Sequence, residues 1–136
     1  TLCMASLDTG DERVRLRVLG HPPPLILSDG SAVQTQVTPQ PPLGVFPVEQ
    51  SDTDEVTLPR GKSMLFYTDG LVDAYDGGPP GRLEVEGLRR MVAEVLDQGV
   101  SLPQLPERLV DEAERSNGGP LQDDVAMLLI THGEPG

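Results

Sequence analysis

An apolar run that ends on a carboxylate, Met64-Leu65-Phe66-Tyr67-Thr68-Asp69-Gly70, constrains this chain more than any other feature. Five of its residues are apolar, β-branched or aromatic, so the run reads as a buried strand. Gly70 lets the backbone turn sharply directly after the acid. A carboxylate at the end of a rigid strand has its position fixed by the scaffold, which suits a metal ligand or a catalytic group. A second acidic element, Gln122-Asp123-Asp124, opens another apolar run that continues from Val125 to Thr131. If the two strands lie antiparallel, the end of one sits beside the start of the other. Asp69 and the Asp123-Asp124 pair would then converge at one edge of a sheet, a candidate divalent-metal site.

The remaining sequence bounds what can surround that edge. With 136 residues the chain is one domain or part of one. It has no Trp, and only 3% of its residues are aromatic, so the core must come from Val, Leu, Ile and Met. Fifteen glycines and 14 prolines imply many turns and short elements. A formal net charge of -12 repels nucleic-acid phosphates and anionic membranes, so neither is an expected partner. No stretch approaches the roughly 20 apolar residues of a membrane span. The single cysteine, Cys3, allows no internal disulfide and fits a reducing, cytoplasmic compartment as a small core residue. The chain lacks an initiator methionine and starts inside an apparent strand, so it is expected to be a piece of something longer.

Leu2 to Leu7 and the alternating Val14, Leu16 and Val18 read as a β-hairpin about the turn Asp8-Thr9-Gly10-Asp11. Gly20-His21-Pro22-Pro23-Pro24 is a stiff connection, because consecutive prolines fix φ and donate no hydrogen bonds. Leu25-Ile26-Leu27 is a brief strand, turned at Ser28-Asp29-Gly30-Ser31 toward a partner within 32–37. A proline-rich loop through Pro42-Leu43-Gly44-Val45 leads to a short alternating segment at 55–58. Leu88, Met91, Val92, Val95 and Leu96 form one helical stripe, and Leu105, Leu109, Val110 and Ala113 a second. Pro106 suits the first turn of that second helix, and Asn117-Gly118-Gly119-Pro120 ends it. The last strand, roughly 124–131, is apolar on both faces and is expected to be central. His132 is set aside as tail, and 133–136 is expected to fray. The pattern is an α+β layered fold.

Asp69 in a Thr-Asp-Gly sequence has a plain alternative reading as a turn or capping residue. Asp73, four residues on, would share a helical face with it, and like charges so placed repel unless a cation sits between them. Asp123 and Asp124 on a strand point to opposite faces, so at most one faces the same site as Asp69. All-oxygen ligands without Cys or His favour Mg²⁺ or Mn²⁺ over Zn²⁺. His21, flanked by glycine and prolines, reads as a hydrogen-bonded loop residue more readily than as a general acid.

Four motifs agree in order and spacing. They are Gly20-His21-Pro22-Pro23-Pro24-Leu25-Ile26-Leu27, Pro42-Leu43-Gly44-Val45, Leu65 through Ala74, and Asp123-Asp124-Val125-Ala126. Together they resemble the metal-dependent protein serine/threonine phosphatases of the protein phosphatase 2C-like superfamily. The nearer resemblance is to the bacterial branch typified by the sporulation stage II E phosphatase and the stress-response sigma-factor regulators. It implies two antiparallel sheets packed face to face, flanked by helices in α-β-β-α layers and here incomplete at the N-terminus. Residues 1–132 would be the C-terminal part of one such domain. It further implies two Mn²⁺ or Mg²⁺ ions in an acidic cleft and attack by metal-activated water on phosphoserine or phosphothreonine. The implied substrate is a phosphorylated regulatory protein such as an anti-sigma-factor antagonist, and a sensory domain is expected upstream. Asp69 and Asp123 match metal ligands of the family, Asp124 the neighbouring position, and Asp73 an acid at a looser metal position; Gly70 supports the turn.

Two further acidic motifs of that family, an Asp after paired glycines and an Asp-Val-x-Gly-His-Gly-like segment, do not occur in this chain. About half of the ligand set is therefore missing, so the segment alone is expected to be nearly inactive and, with exposed strand edges, to dimerise or aggregate. The competing reading is a non-catalytic module that keeps the fold and binds a partner. An acidic Ca²⁺-binding module is disfavoured, because no alternating Asp-x-Asp-x-Asp loop is present.

Overall fold

The computed structural model describes residues 1–47 and 53–133. Two antiparallel sheets form the body. In the first, β1 (Leu2–Leu7) and β2 (Arg13–Leu19) make the expected hairpin, with Leu7 opposite Val14, and β5 (Asp54–Thr57) pairs on the other side of β2. In the second, the order is β4 (Ser31–Gln34), β3 (Leu25–Ser28), β6 (Ser63–Tyr67), β7 (Met127–Thr131). The β3–β4 hairpin turns on Asp29 and Gly30, both at positive φ (38° and 79°), the backbone hand that a two-residue loop between twisted strands requires.

The period-two pattern of the central strands sorts their side chains between two cores. From β6, Met64 and Phe66 face the three-stranded sheet, where they meet Val14, Leu16 and Val18. Leu65 and Tyr67 face the opposite way, into a larger core closed by helices. β3 divides likewise, with Ile26 between the sheets and Leu25 and Leu27 toward the helices. This is the predicted sandwich, with a helical layer supplied by α2 (Glu84–Asp97) and α3 (Leu105–Asn117). Their buried stripes are the ones read from sequence: Leu88, Met91, Val92 and Val95 on α2, and Leu105, Leu109 and Ala113 on α3. Pro106 sits in the first turn of α3, and Gly118 caps its end at φ 81°. Arg89 ties α2 to the sheet by donating to the Ala32 carbonyl at 2.9 Å. Among the described residues, no helix is long and apolar enough to cross a membrane.

Two expectations are corrected. Among the described residues the last strand is not central: β7 begins only at Met127 and pairs with β6 alone, at the edge of its sheet. Its two-sided apolar character has a different cause. Met127 and Leu129 pack toward the helix-backed core, while Leu128 and Ile130 line the open space between the sheets. Apolar residues on both faces report what covers a strand above and below, not hydrogen bonding on both edges. His132 is not tail either. Its N–H donates to the Lys62 carbonyl at 2.9 Å, its carbonyl accepts from Gly61 at 2.7 Å, and its ring Nδ1 lies 2.8 Å from the Leu58 carbonyl. Of the tail expected to fray, 134–136 lie outside the described residues.

Candidate metal centre

β6 delivers its acid as the sequence implies. Tyr67 closes the strand, Thr68 is extended, and Asp69 opens a one-turn helix, α1 (Asp69–Val72). Three contacts then bind this corner to the segment before β7. The Thr68 N–H donates to the Ala126 carbonyl at 3.1 Å, and the Ala126 N–H donates to the Thr68 hydroxyl oxygen at 3.0 Å. The Thr68 hydroxyl in turn donates to the Asp124 carbonyl at 3.3 Å. Gly70 completes the junction. It is buried, and a Cβ added there would run into the Asp124 carbonyl oxygen, with the carbonyl carbons of Asp124 and Asp123 at 3.2 and 3.4 Å. Only glycine lets the start of α1 lie this close to the Asp123–Asp124 peptide. The convergence of Asp69 with Asp123 and Asp124 is therefore present in the backbone.

All four predicted acids are exposed, but they are not equivalent. Asp123 and Asp124 lie in a bend ahead of β7 rather than on the strand, so the alternation of strand faces does not govern them. Instead the Asp124 N–H donates to the Asp123 Oδ1 at 2.8 Å, which orients that carboxylate. Asp73 caps α1, its N–H donating to the Asp69 carbonyl at 2.8 Å, so the two acids do follow one helical turn. The charge beside Asp73 is answered from within the chain, by the Arg82 guanidinium 3.1 Å away. Asp69, Asp123 and Asp124 have no basic partner among the described residues. A cavity of about 160 Å³ opens here, lined by Gly70, Asp73, Arg82, Asn117, Gln122 and Asp123 among others.

These residues fit one wall of a hard-cation site. The donors are accessible carboxylate oxygens, those of Asp69, Asp123 and Asp124 without a basic partner among the described residues, on segments locked together by backbone contacts. They do not enclose an ion by themselves, for among the described residues no three His, Cys, Asp or Glu side chains are grouped as a metal site.

His21 takes a supporting place. Its Nε2 lies 3.1 Å from the Tyr67 carbonyl oxygen, which can only accept, so Nε2 carries the proton and anchors the proline-rich connection to the end of β6. Tyr67 returns the contact, its hydroxyl donating to the Pro23 carbonyl at 3.0 Å. Burial pushes the Tyr67 phenol well above its ordinary pKa, with a smaller push from Cys3. Sequence reasoning missed Arg82, which no periodicity or motif marks, and Asn117, read only as a helix stop. Asn117 accepts from the Tyr75 N–H at 3.0 Å and donates to the Gly119 and Pro120 carbonyls, holding the cavity wall.

The model of the stage II sporulation protein E (SpoIIE) family matches residues 1–133. The chain belongs to this family. Its fold is that of the PP2C phosphatase domains. The RsbU and RsbW domains of Rv1364c from Mycobacterium tuberculosis superpose with a TM-score of 0.75 at 28% identity, over 93% of this chain and 35% of that one. The manganese-presoaked SpoIIE phosphatase domain of Bacillus subtilis gives 0.68 at 15% identity, over 100% and 59%. The SiaA PP2C domain of Pseudomonas aeruginosa gives 0.69 at 21%, over 88% and 46%. This SpoIIE-family chain thus spans less than two thirds of the length of these matched structures.

Proposed function

We propose that this chain is the C-terminal part of a phosphatase domain that hydrolyses phosphoserine or phosphothreonine on a cytoplasmic regulatory protein, an anti-sigma-factor antagonist being the best-fitting class. In this reading Asp69 and Asp123 hold Mn²⁺ or Mg²⁺, Asp124 borders them, and Asp73 belongs to a looser position. When bound, such ions activate water and neutralise phosphate charge. The chain's own contribution is placement. Thr68 and Gly70 clamp two carboxylate-bearing segments at one sheet corner, so their backbones are held together before any ion binds. The observation that carries the reading is the Gly70 backbone lying against the Asp124 carbonyl, which brings acids more than fifty positions apart to one rim.

The test uses the longer protein that includes the upstream acidic motifs. Asp69→Asn should lower Mn²⁺-dependent turnover of a phosphopeptide by at least about a hundredfold, since several kcal/mol of charge stabilisation are lost. It should also weaken Mn²⁺ binding measured by calorimetry, with an unchanged circular dichroism spectrum. Near-normal turnover in that variant would remove Asp69 from the site. No hydrolysis by the unmutated protein would favour a partner-binding module instead. The segment by itself should be nearly inactive and should self-associate through the apolar side chains exposed on β1 and β7, Met4, Leu7 and Leu128. Light scattering that shows a clean monomer would contradict the association.

A further inference from the structure

The cavity beside Gly70 and Asp123 has a single basic side chain in its lining, Arg82. We propose that Arg82 binds the phosphoryl group of the substrate, an inference that rests on the phosphatase reading above.

The mount of Arg82 is rigid. It bridges antiparallel to Tyr75, with flanking hydrogen bonds from Asp76 N–H to the Gly81 carbonyl (2.9 Å) and from Leu83 N–H to the Ala74 carbonyl (2.7 Å). The loop so closed is pinned to the end of α3 by the Tyr75–Asn117 bond and by Gly77 N–H donating to the Ser116 hydroxyl at 3.0 Å. The guanidinium is held at one corner only. Nη1 donates to the Asp73 carbonyl at 3.2 Å and pairs with Asp73 Oδ1 at 3.1 Å, while Nε and Nη2 have no acceptor among the described residues.

A guanidinium carries five N–H donors in a planar fork that matches two phosphate oxygens, so its unused donors are suited to that ligand. The side chain is half exposed, and the cavity of about 160 Å³ holds the space of roughly five waters, enough for a phosphoryl group. The electrostatics favour the same role. Asp73 and Asp123 line this cavity in a chain of net charge -12, so an incoming phosphate dianion gains from a cation that lines it too. The bond to Asp73 positions the fork without using it up.

A guanidinium that only clamps Asp73 would behave differently from one that touches substrate. In the longer protein, Arg82→Gln should raise KM for a phosphopeptide about tenfold or more. It should raise the inhibition constant of inorganic phosphate by a similar factor, because charge-assisted hydrogen bonds are lost. kcat should stay within about threefold. Unchanged KM and phosphate inhibition, whatever happens to kcat, would overturn the inference and leave Arg82 a structural clamp. No hydrolysis by the unmutated protein would instead overturn the phosphatase reading, and this inference with it. If Arg82→Gln fails to fold, Arg82→Lys decides. It keeps the charge and loses the fork, so raised KM and phosphate constants support the role, and unmutated values for both overturn it.

Discussion

The two sheets of this molecule differ in what stands behind them. The four-stranded sheet is backed by α2 and α3, and that side gathers sixteen buried side chains of the described residues into one core. The three-stranded sheet contributes to a core of five, and its outer face presents Arg13 and Arg15 to solvent, with Arg15 opposite Glu55 on β5. On one flank the sandwich gapes, leaving a cavity of about 430 Å³ lined by Leu2, Cys3, Leu7, Phe66, Leu128 and Ile130. The carboxylate corner is built on the end of β6, an interior strand of the better-backed sheet. The proposed metal site is thus carried by the part of the fold with the larger buried core, the kind of rigid support such a site requires.

This asymmetry can be broken by experiment. Leu65 and Leu16 are both fully buried, one in each core. Leu65→Ala should cost about 4 kcal/mol, because the helices and strands around it are fixed on every side and cannot collapse into the void. Leu16→Ala should cost about 2.5 kcal/mol, the thinner layer relaxing toward the gap. Guanidinium denaturation of both variants measures the difference, and equal losses would show that the two layers are equally rigid.

The next effects sharpen the role of the corner itself. Gly70→Ala inserts a methyl against the Asp124 carbonyl, a backbone atom that cannot swing aside. We expect a loss of about 2 kcal/mol, in the range of overpacked sites, and, in the longer protein, a larger proportional loss of the proposed phosphatase activity, since relief requires the two carboxylate-bearing segments to separate. Thr68→Val keeps the shape and the backbone bond to Ala126 but removes the hydroxyl that bridges the Asp124 carbonyl and the Ala126 N–H. Both contacts are exposed, so the expected cost is about 1 kcal/mol, with activity reduced less than in Gly70→Ala. If Thr68→Val proved the more damaging to activity, the hydroxyl and not the glycine contact would be setting the corner.

What could be read from the sequence follows the same division. The elements with a strong local signal appear where expected: the alternating hairpin strands, the Asp-Gly turn, the helical stripes of α2 and α3, and the apolar strand that stops at Asp69. The backbone meeting of Asp69 with Asp123 and Asp124 also follows, because an antiparallel neighbour dictates which strand ends are adjacent. Coverage is harder to read. β7 looks central in sequence because both its faces are apolar, yet pairing is decided by backbone partners that leave no mark on side-chain periodicity. Arg82 and Asn117 act through a loop closure between residues 74 and 83 and the end of α3, a contact that neither period announces. Likewise, Asp73 reads as one more acid until Arg82 is seen beside it.

The smallest effect tests how tightly the helix-backed layer shuts out water. Tyr67 is 2% exposed and donates its phenol proton to the Pro23 carbonyl, so the folded protein holds the neutral phenol more firmly than the unfolded chain does. A pKa raised by folding contributes stability that is fully present below the unfolded value, about 10 for tyrosine, and is lost as pH climbs toward the raised one. Tyr67→Phe should therefore cost about 1 kcal/mol at neutral pH, where only the hydrogen bond is missing, and should flatten the alkaline decline. Cys3, also raised by burial, shifts stability with the same sign from a slightly lower pH. Introducing Tyr67→Phe into a Cys3→Ala background, and comparing it with Cys3→Ala alone, isolates the phenol. The stabilities of these two variants, measured by denaturation between pH 7 and about 11, should converge as the phenol of the unfolded chain ionises. A constant gap across that range would mean that solvent reaches Tyr67 and that the packing contrast between the layers is smaller than their cores suggest.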